Sequence, residues 1–290
     1  MTQLAAKLTD SRIWHALTLA GFVALAGCST DGGTQVVDGP GTPPALPAAT
    51  SMDVDFGLFQ LSGSESMLSA YADPAELGAA FSSSQLHFGA AALSVLVAHA
   101  VTVLHLAVPV AVFGAAANNT PSFEDDGRWH WRYTASSGGQ LWTAHLSGSV
   151  DGNQVVWDMR ITAPNADPPL TDFLWYGGNS HTDGTSGTWR FYDPSNPSGS
   201  NEVVRVDWTH ESADVHGVTI TVTGGENVGD ALTAEHDGST RFVTWTDASM
   251  GNTVEIFWDV ASGEGYIIAP GLNGGLKSCW DSGQNDVPCS

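Results

Sequence analysis

The sequence predicts a mainly β protein: one large curled antiparallel up-and-down sheet, half-barrel or barrel-like, packed on an apolar N-terminal helical segment. Three observations predict it. From residue 128 onward, apolar and polar residues alternate with period two, as in strands that bury one face. Turn-forming pairs such as Asp151-Gly152 and Asp237-Gly238 separate the runs. Residues 91–117 (AALSVLVAHAVTVLHLAVPVAVFGAAA) are apolar all round, as a helix buried on all sides would be. A curled sheet needs something to fill its concave side, and such a helix needs a wall.

The elements follow in chain order. Residues 1–27 read as a secretory signal. Lys7 and Arg12 form a weakly basic start, 13–26 are mostly apolar, and small residues precede a cysteine. The ending Leu25-Ala26-Gly27-Cys28 resembles the lipobox of bacterial lipoproteins. That resemblance implies cleavage before Cys28 and lipidation of its sulfur. More than one acyl chain then gives a stable membrane anchor. Ser29 follows the cysteine. By the sorting rule of enteric bacteria this implies the outer membrane, on its periplasmic or surface face. Residues 28–50, rich in Gly, Pro, Thr and Ala, read as a flexible tether.

Residues 51–122 read as a helical segment. Asp73-Pro74-Ala75-Glu76 is a helix start, with an N-cap, a proline at the first helical position and a capping-box Glu. A short helix is expected to about residue 81. A longer one is expected over about 85–108, with Pro109 ending or kinking it. By apolar length alone 91–113 also passes as a membrane span. Against that, no Lys or Arg lies between Arg12 and Arg128, and Glu124-Asp125-Asp126 follow. Basic flanks are therefore missing, and His99 and His105 would be costly in a bilayer. Burial inside the protein is the expectation.

Residues 123–290 read as the sheet domain. Val155, Trp157, Met159 and Ile161 alternate with polar or mixed positions; so do Val204, Val206 and Trp208, then Val218, Ile220 and Val222, then Val254, Ile256 and Trp258. Ten strands are expected, over about 128–135, 140–150, 154–163, 171–177, 187–193, 202–211, 216–224, 230–236, 240–247 and 253–260. A short eleventh is expected near 265–269. The architecture loosely resembles the half-barrel of bacterial lipoprotein carriers and receptors, which wraps helices in a curled sheet. Here the helices precede the sheet, which departs from that pattern.

Composition narrows function more than it identifies it. The 290-residue chain carries 31 acidic and 9 basic residues, a net charge of −22. Nucleic acid needs a basic face, so it is excluded as a partner. The chain has 11 Trp, and nine of them, from Trp129 to Trp258, fall about one per expected strand. They read as core, with a sugar-stacking platform as the alternative. His130, His145, His181, His210, His216 and His236 are scattered and show no metal-ligand spacing. Asp53 and Asp55 do not make a full calcium loop. No nucleophile elbow, phosphate loop or dinucleotide fingerprint is present. No catalytic residue, metal or cofactor is expected. Cys279 and Cys289 are expected to pair as a disulfide in an oxidising compartment. The expected role is a non-catalytic structural or binding protein of the envelope. A carrier or sensor of a hydrophobic ligand and a carbohydrate-binding or glycan-cleaving protein are the rivals.

Overall fold

The computed structural model describes residues 41–47 and 82–290, apart from 138, 139, 200, 226 and 290. The side chains of 96, 97, 99–112, 135–137, 140 and 141 also lie outside the description. So do the signal, Cys28, the expected helix start at Asp73 and the Asp53/Asp55 pair.

Among the described residues, one long helix, α1 (Leu86–Ala117), precedes the strands. It runs through Pro109, where the sequence predicts an end or a kink. A proline inside a helix forfeits one backbone hydrogen bond and costs about 3 kcal/mol. Packing at both ends of α1 offsets that cost. Phe88, Ala91, Val95 and Ala98 are buried toward the start, and Phe113 and Ala116 toward the end. The Phe88 ring meets Trp280 edge-on at 5.7 Å. The Phe113 ring lies 5.4 Å from Trp157 and 5.1 Å from Trp189. Both ends of one helix thus rest on one sheet, as expected for the filler of a curled wall.

The strands are β1 (Ser122–Phe123), β2 (Trp129–Ser137), β3 (Gln140–Asp151), β4 (Gln154–Ala163), β5 (Leu170–His181), β6 (Ser186–Tyr192) and β7 (Glu202–Ser212). They continue as β8 (Val215–Val222), β9 (Ala231–Asp237), β10 (Thr240–Asp247), β11 (Asn252–Asp259), β12 (Gly265–Ile268), β13 (Ser278–Trp280) and β14 (Asp286–Val287). Every strand pairs antiparallel with its sequence neighbours, in one sheet of order β1 to β14. The ends do not pair with each other, so the sheet is open. On its core face α1 contacts β2 near one edge and β12, β13 and β14 at the other, so it bridges the seam. Each edge strand is only two residues long. That leaves little unpaired backbone to template association with another chain.

Tight hairpins require the backbone conformation that glycine supplies. Gly152 and Gly238 take φ of 61° and 58° in the turns after β3 and β9. Other loops are built on aspartate. The Oδ1 of Asp183, Asp193, Asp247, Asp259 and Asp281 each accepts hydrogen bonds from groups two to four residues ahead. Part of the acidic excess is thus turn chemistry.

Gly and Trp also work together inside the sheet. In register, Gly148 faces Trp157, Gly178 faces Trp189, and Gly187 faces Trp208. Gly265 faces both Trp258 and Trp280. A Cβ at Gly148 or Gly187 would stand 2.6 or 2.7 Å from the opposite indole. The indoles therefore occupy space that a side chain would take, and Gly in these strands marks that close approach.

The stretch 41–47, read as part of a tether, lies on the fold. Pro44 and Pro47 are buried, and Leu46 packs against the core.

Candidate functional site

The tryptophans admit two readings, core and sugar-stacking platform. Trp131, Trp157, Trp189, Trp208, Trp258 and Trp280 are buried. Trp129, Trp142, Trp175 and Trp245 are half-buried, and no described Trp is exposed. Trp157 donates its indole N–H to Ser180 Oγ at 2.9 Å. This is core.

Cys279 and Cys289 lie at bonding distance, with Cα atoms 5.3 Å apart. They close the loop that carries Asp286. That carboxylate accepts hydrogen bonds from the backbone N–H of Leu86 and His87, at 3.2 and 2.9 Å. Gln85, the residue before α1, makes no side-chain cap of its own. A residue 200 positions away therefore caps the helix. The His87 ring Nδ1 donates to the Cys279 carbonyl at 2.9 Å. Asp286 N–H reaches the Ser84 carbonyl at 2.7 Å. A pocket of about 320 Å³ opens beside this latch, lined by His87, Asn273, Lys277 and Asp286 among others. The Lys277 ammonium sits 4.1 Å above the Tyr266 ring.

Five of the six histidines that look scattered in sequence gather in two places, while His181 stands apart beside Asp183 and Asn153. The first is on the outer face near the β1 edge. His130 and His145 bring Nδ1 and Nε2 to 2.6 Å, and His130 Nε2 lies 2.9 Å from Asp126 Oδ1. The hydrogen bond from His130 holds the Asp126 carboxyl below its usual range. An ionised Asp126 must accept, so His130 carries its proton on Nε2. In the neutral ring Nδ1 then accepts from His145 Nε2–H. Burial, together with Arg132 and His130, pushes the His145 ring down to about 4, which leaves it neutral at neutral pH. Beside it, Arg132 forms an ion pair with Glu124 and holds that carboxyl at about 2. The result is a carboxylate–imidazole–imidazole chain able to hand a proton along. Among the described residues, neither ring hydrogen-bonds a serine, threonine or cysteine side chain.

The second gathering is a row across three strands. His210 of β7 faces His216 of β8, which faces His236 of β9. These positions continue the core-face phase of Trp208, Val218 and Ala234 to the strand ends. His236 Nδ1 lies 3.1 Å from His216 Nε2, and His236 Nε2 lies 3.0 Å from the Gly238 carbonyl. The His210 and His216 ring centres are 5.7 Å apart. His210 Nδ1 is buried and has no hydrogen-bond partner. Among the described residues, no group of three or more His, Cys, Asp or Glu is arranged to hold a metal ion. Sequence spacing hides both gatherings, because their members come from different strands. Pairing the expected strands in register would have found them.

No family model matches this chain, and comparisons with curated proteins and with solved structures return no match.

Proposed function

We propose that the chain is a bacterial envelope lipoprotein, anchored through lipid on Cys28 and placed at the outer membrane. Its folded part acts there as a non-catalytic structural or binding module. The observation that carries this reading is the agreement of three cysteines on one compartment. Leu25-Ala26-Gly27-Cys28 supports export and lipidation. The proximity of Cys279 and Cys289 supports an oxidising destination, and the two assignments account for all three cysteines.

A rigid module is favoured by the buried indoles of the described core and by edge strands too short to recruit strands. The glycan reading needs several exposed tryptophans in one cleft, and the described tryptophans are buried or half-buried. The carrier reading needs space between α1 and the sheet. It is the second partner class to test, with a hydrophobic ligand as the occupant.

The test is mass spectrometry of the N-terminal peptide from membrane-purified protein. The expected result is an acylated Cys28, and a Cys28→Ala chain that leaves the detergent phase. An unmodified Cys28 in mature membrane-bound protein would sink the proposal.

A further inference from the structure

We infer that His216 and His236 form a binding site for a transition-metal ion of the Zn²⁺, Ni²⁺ or Cu²⁺ kind, with His210 as the next imidazole in the row. Two imidazole nitrogens that share one ion at about 2.0–2.1 Å sit roughly 3 Å apart. His216 Nε2 and His236 Nδ1 stand 3.1 Å apart. The Gly238 carbonyl accepts from His236 Nε2–H and so leaves the lone pair of that ring on Nδ1, facing His216. An outer hydrogen bond that fixes the tautomer is how ligating histidines are ordinarily oriented. An ion that takes this position displaces the proton that His216 places on Nε2.

The surroundings agree. Neighbouring strands fix both side chains on one face. A net charge of −22 raises the local concentration of cations. Arg241 is in register with His236, and its Nη1 donates at 2.9 Å to the Gly238 carbonyl that His236 Nε2–H also uses. Asp259 feels the Arg241 charge and offsets part of it. The structure converges two protein nitrogens and not three, so water completes the coordination.

The experiment uses the full chain, detergent-purified without a histidine tag. Zn²⁺, Ni²⁺ and Cu²⁺ are titrated by calorimetry and thermal melting, with Mg²⁺ and Ca²⁺ as controls for the acidic surface. The expected result is one Zn²⁺ per chain, binding that survives about 0.5 M salt because it is not diffuse attraction, and a Tm rise that Mg²⁺ does not give. His236→Gln and His216→Gln should each weaken Zn²⁺ about tenfold or more. His130→Gln and His145→Gln should leave it unchanged. Binding no stronger than Mg²⁺, or Zn²⁺ binding that persists in His236→Gln, overturns the inference; so does binding that moves with His145→Gln. Should a glutamine variant fail to fold, acylation of the unaltered chain by diethylpyrocarbonate decides the matter. Zn²⁺ should protect His216 and His236 from it, and equal labelling with and without Zn²⁺ overturns the site.

Discussion

The two edges of the sheet solve the same problem with different chemistry. At the first edge, the two residues of β1 are held by charge. Glu124 pairs with Arg132, Asp126 with His130, and the Phe123 ring packs on Trp129 at 5.3 Å. At the last edge, the two residues of β14 are held covalently and by the helix. Cys289 is tied to Cys279, and Asp286 caps α1. An open sheet has no partner strand to protect its ends, so each end needs a local clasp. The first clasp titrates. The second responds to reductant. Between them lies a core that should respond to neither.

The core sets the scale against which both clasps are measured. Phe113→Ala removes a buried ring from the contacts with Trp157 and Trp189. It should cost about 3–5 kcal/mol in chemical denaturation and shift the whole transition. A cost under about 1 kcal/mol would mean that the end of α1 does not seat there.

Breaking the covalent clasp comes next. Cys279→Ser with Cys289→Ser opens a ten-residue separation and should cost about 2–3 kcal/mol. Hydrogen exchange should rise in β12–β14 and the first turn of α1 while β1–β3 stay protected. A uniform rise would erase the distinction between the edges.

Asp286→Ala removes the cap, together with the carboxylate's contact with His87 Nδ1 at 3.5 Å, and should cost about 0.5–2 kcal/mol. Exchange of the Leu86 and His87 amides should quicken first.

Acid addresses the opposite edge and has the smallest effect. The Glu124 carboxyl is depressed from 4.5 to about 2 by Arg132, and that of Asp126 is lowered by His130. A depressed carboxyl stabilises the fold fully above its unfolded value and loses that contribution as pH falls through the folded value. Protection of β1 and β2 should therefore decline between about pH 4.5 and 2, with β13 and β14 less affected. Both carboxylates are partly exposed, so the loss is modest. In Glu124→Gln the Glu124 share of that decline should be absent.

How much of this was legible beforehand follows from where each signal resides. β2 to β12 announce themselves by alternation within one strand, as in Val155–Ile161, and the observed strands fall on the expected runs. β1, β13 and β14 span two or three residues, too few to show a period. The expected strand at 171–177 runs on to His181 because Gly177 and Gly178 sit where indoles and backbone approach, not where a turn begins. Pro109 obeys the local rule in sequence and loses to packing at Phe88 and Phe113. The histidine row and the Asp286 cap depend on residues far apart in the chain, so no local spacing could report them. The disulfide pair was readable because its two cysteines are close in sequence.

The pairing of Gly with Trp also gives the molecule an optical signature. Trp189 and Trp208 stack with ring centres 6.5 Å apart, and Trp131 lies 5.8 Å from Trp157, each indole held rigidly in a dry setting. Chromophores that close exchange excitation, so their near-ultraviolet dichroism should carry coupled bands that a lone tryptophan lacks. Because these pairs join β6 to β7 and β2 to β4, that spectrum responds to the curl of the sheet across those strands without any added label.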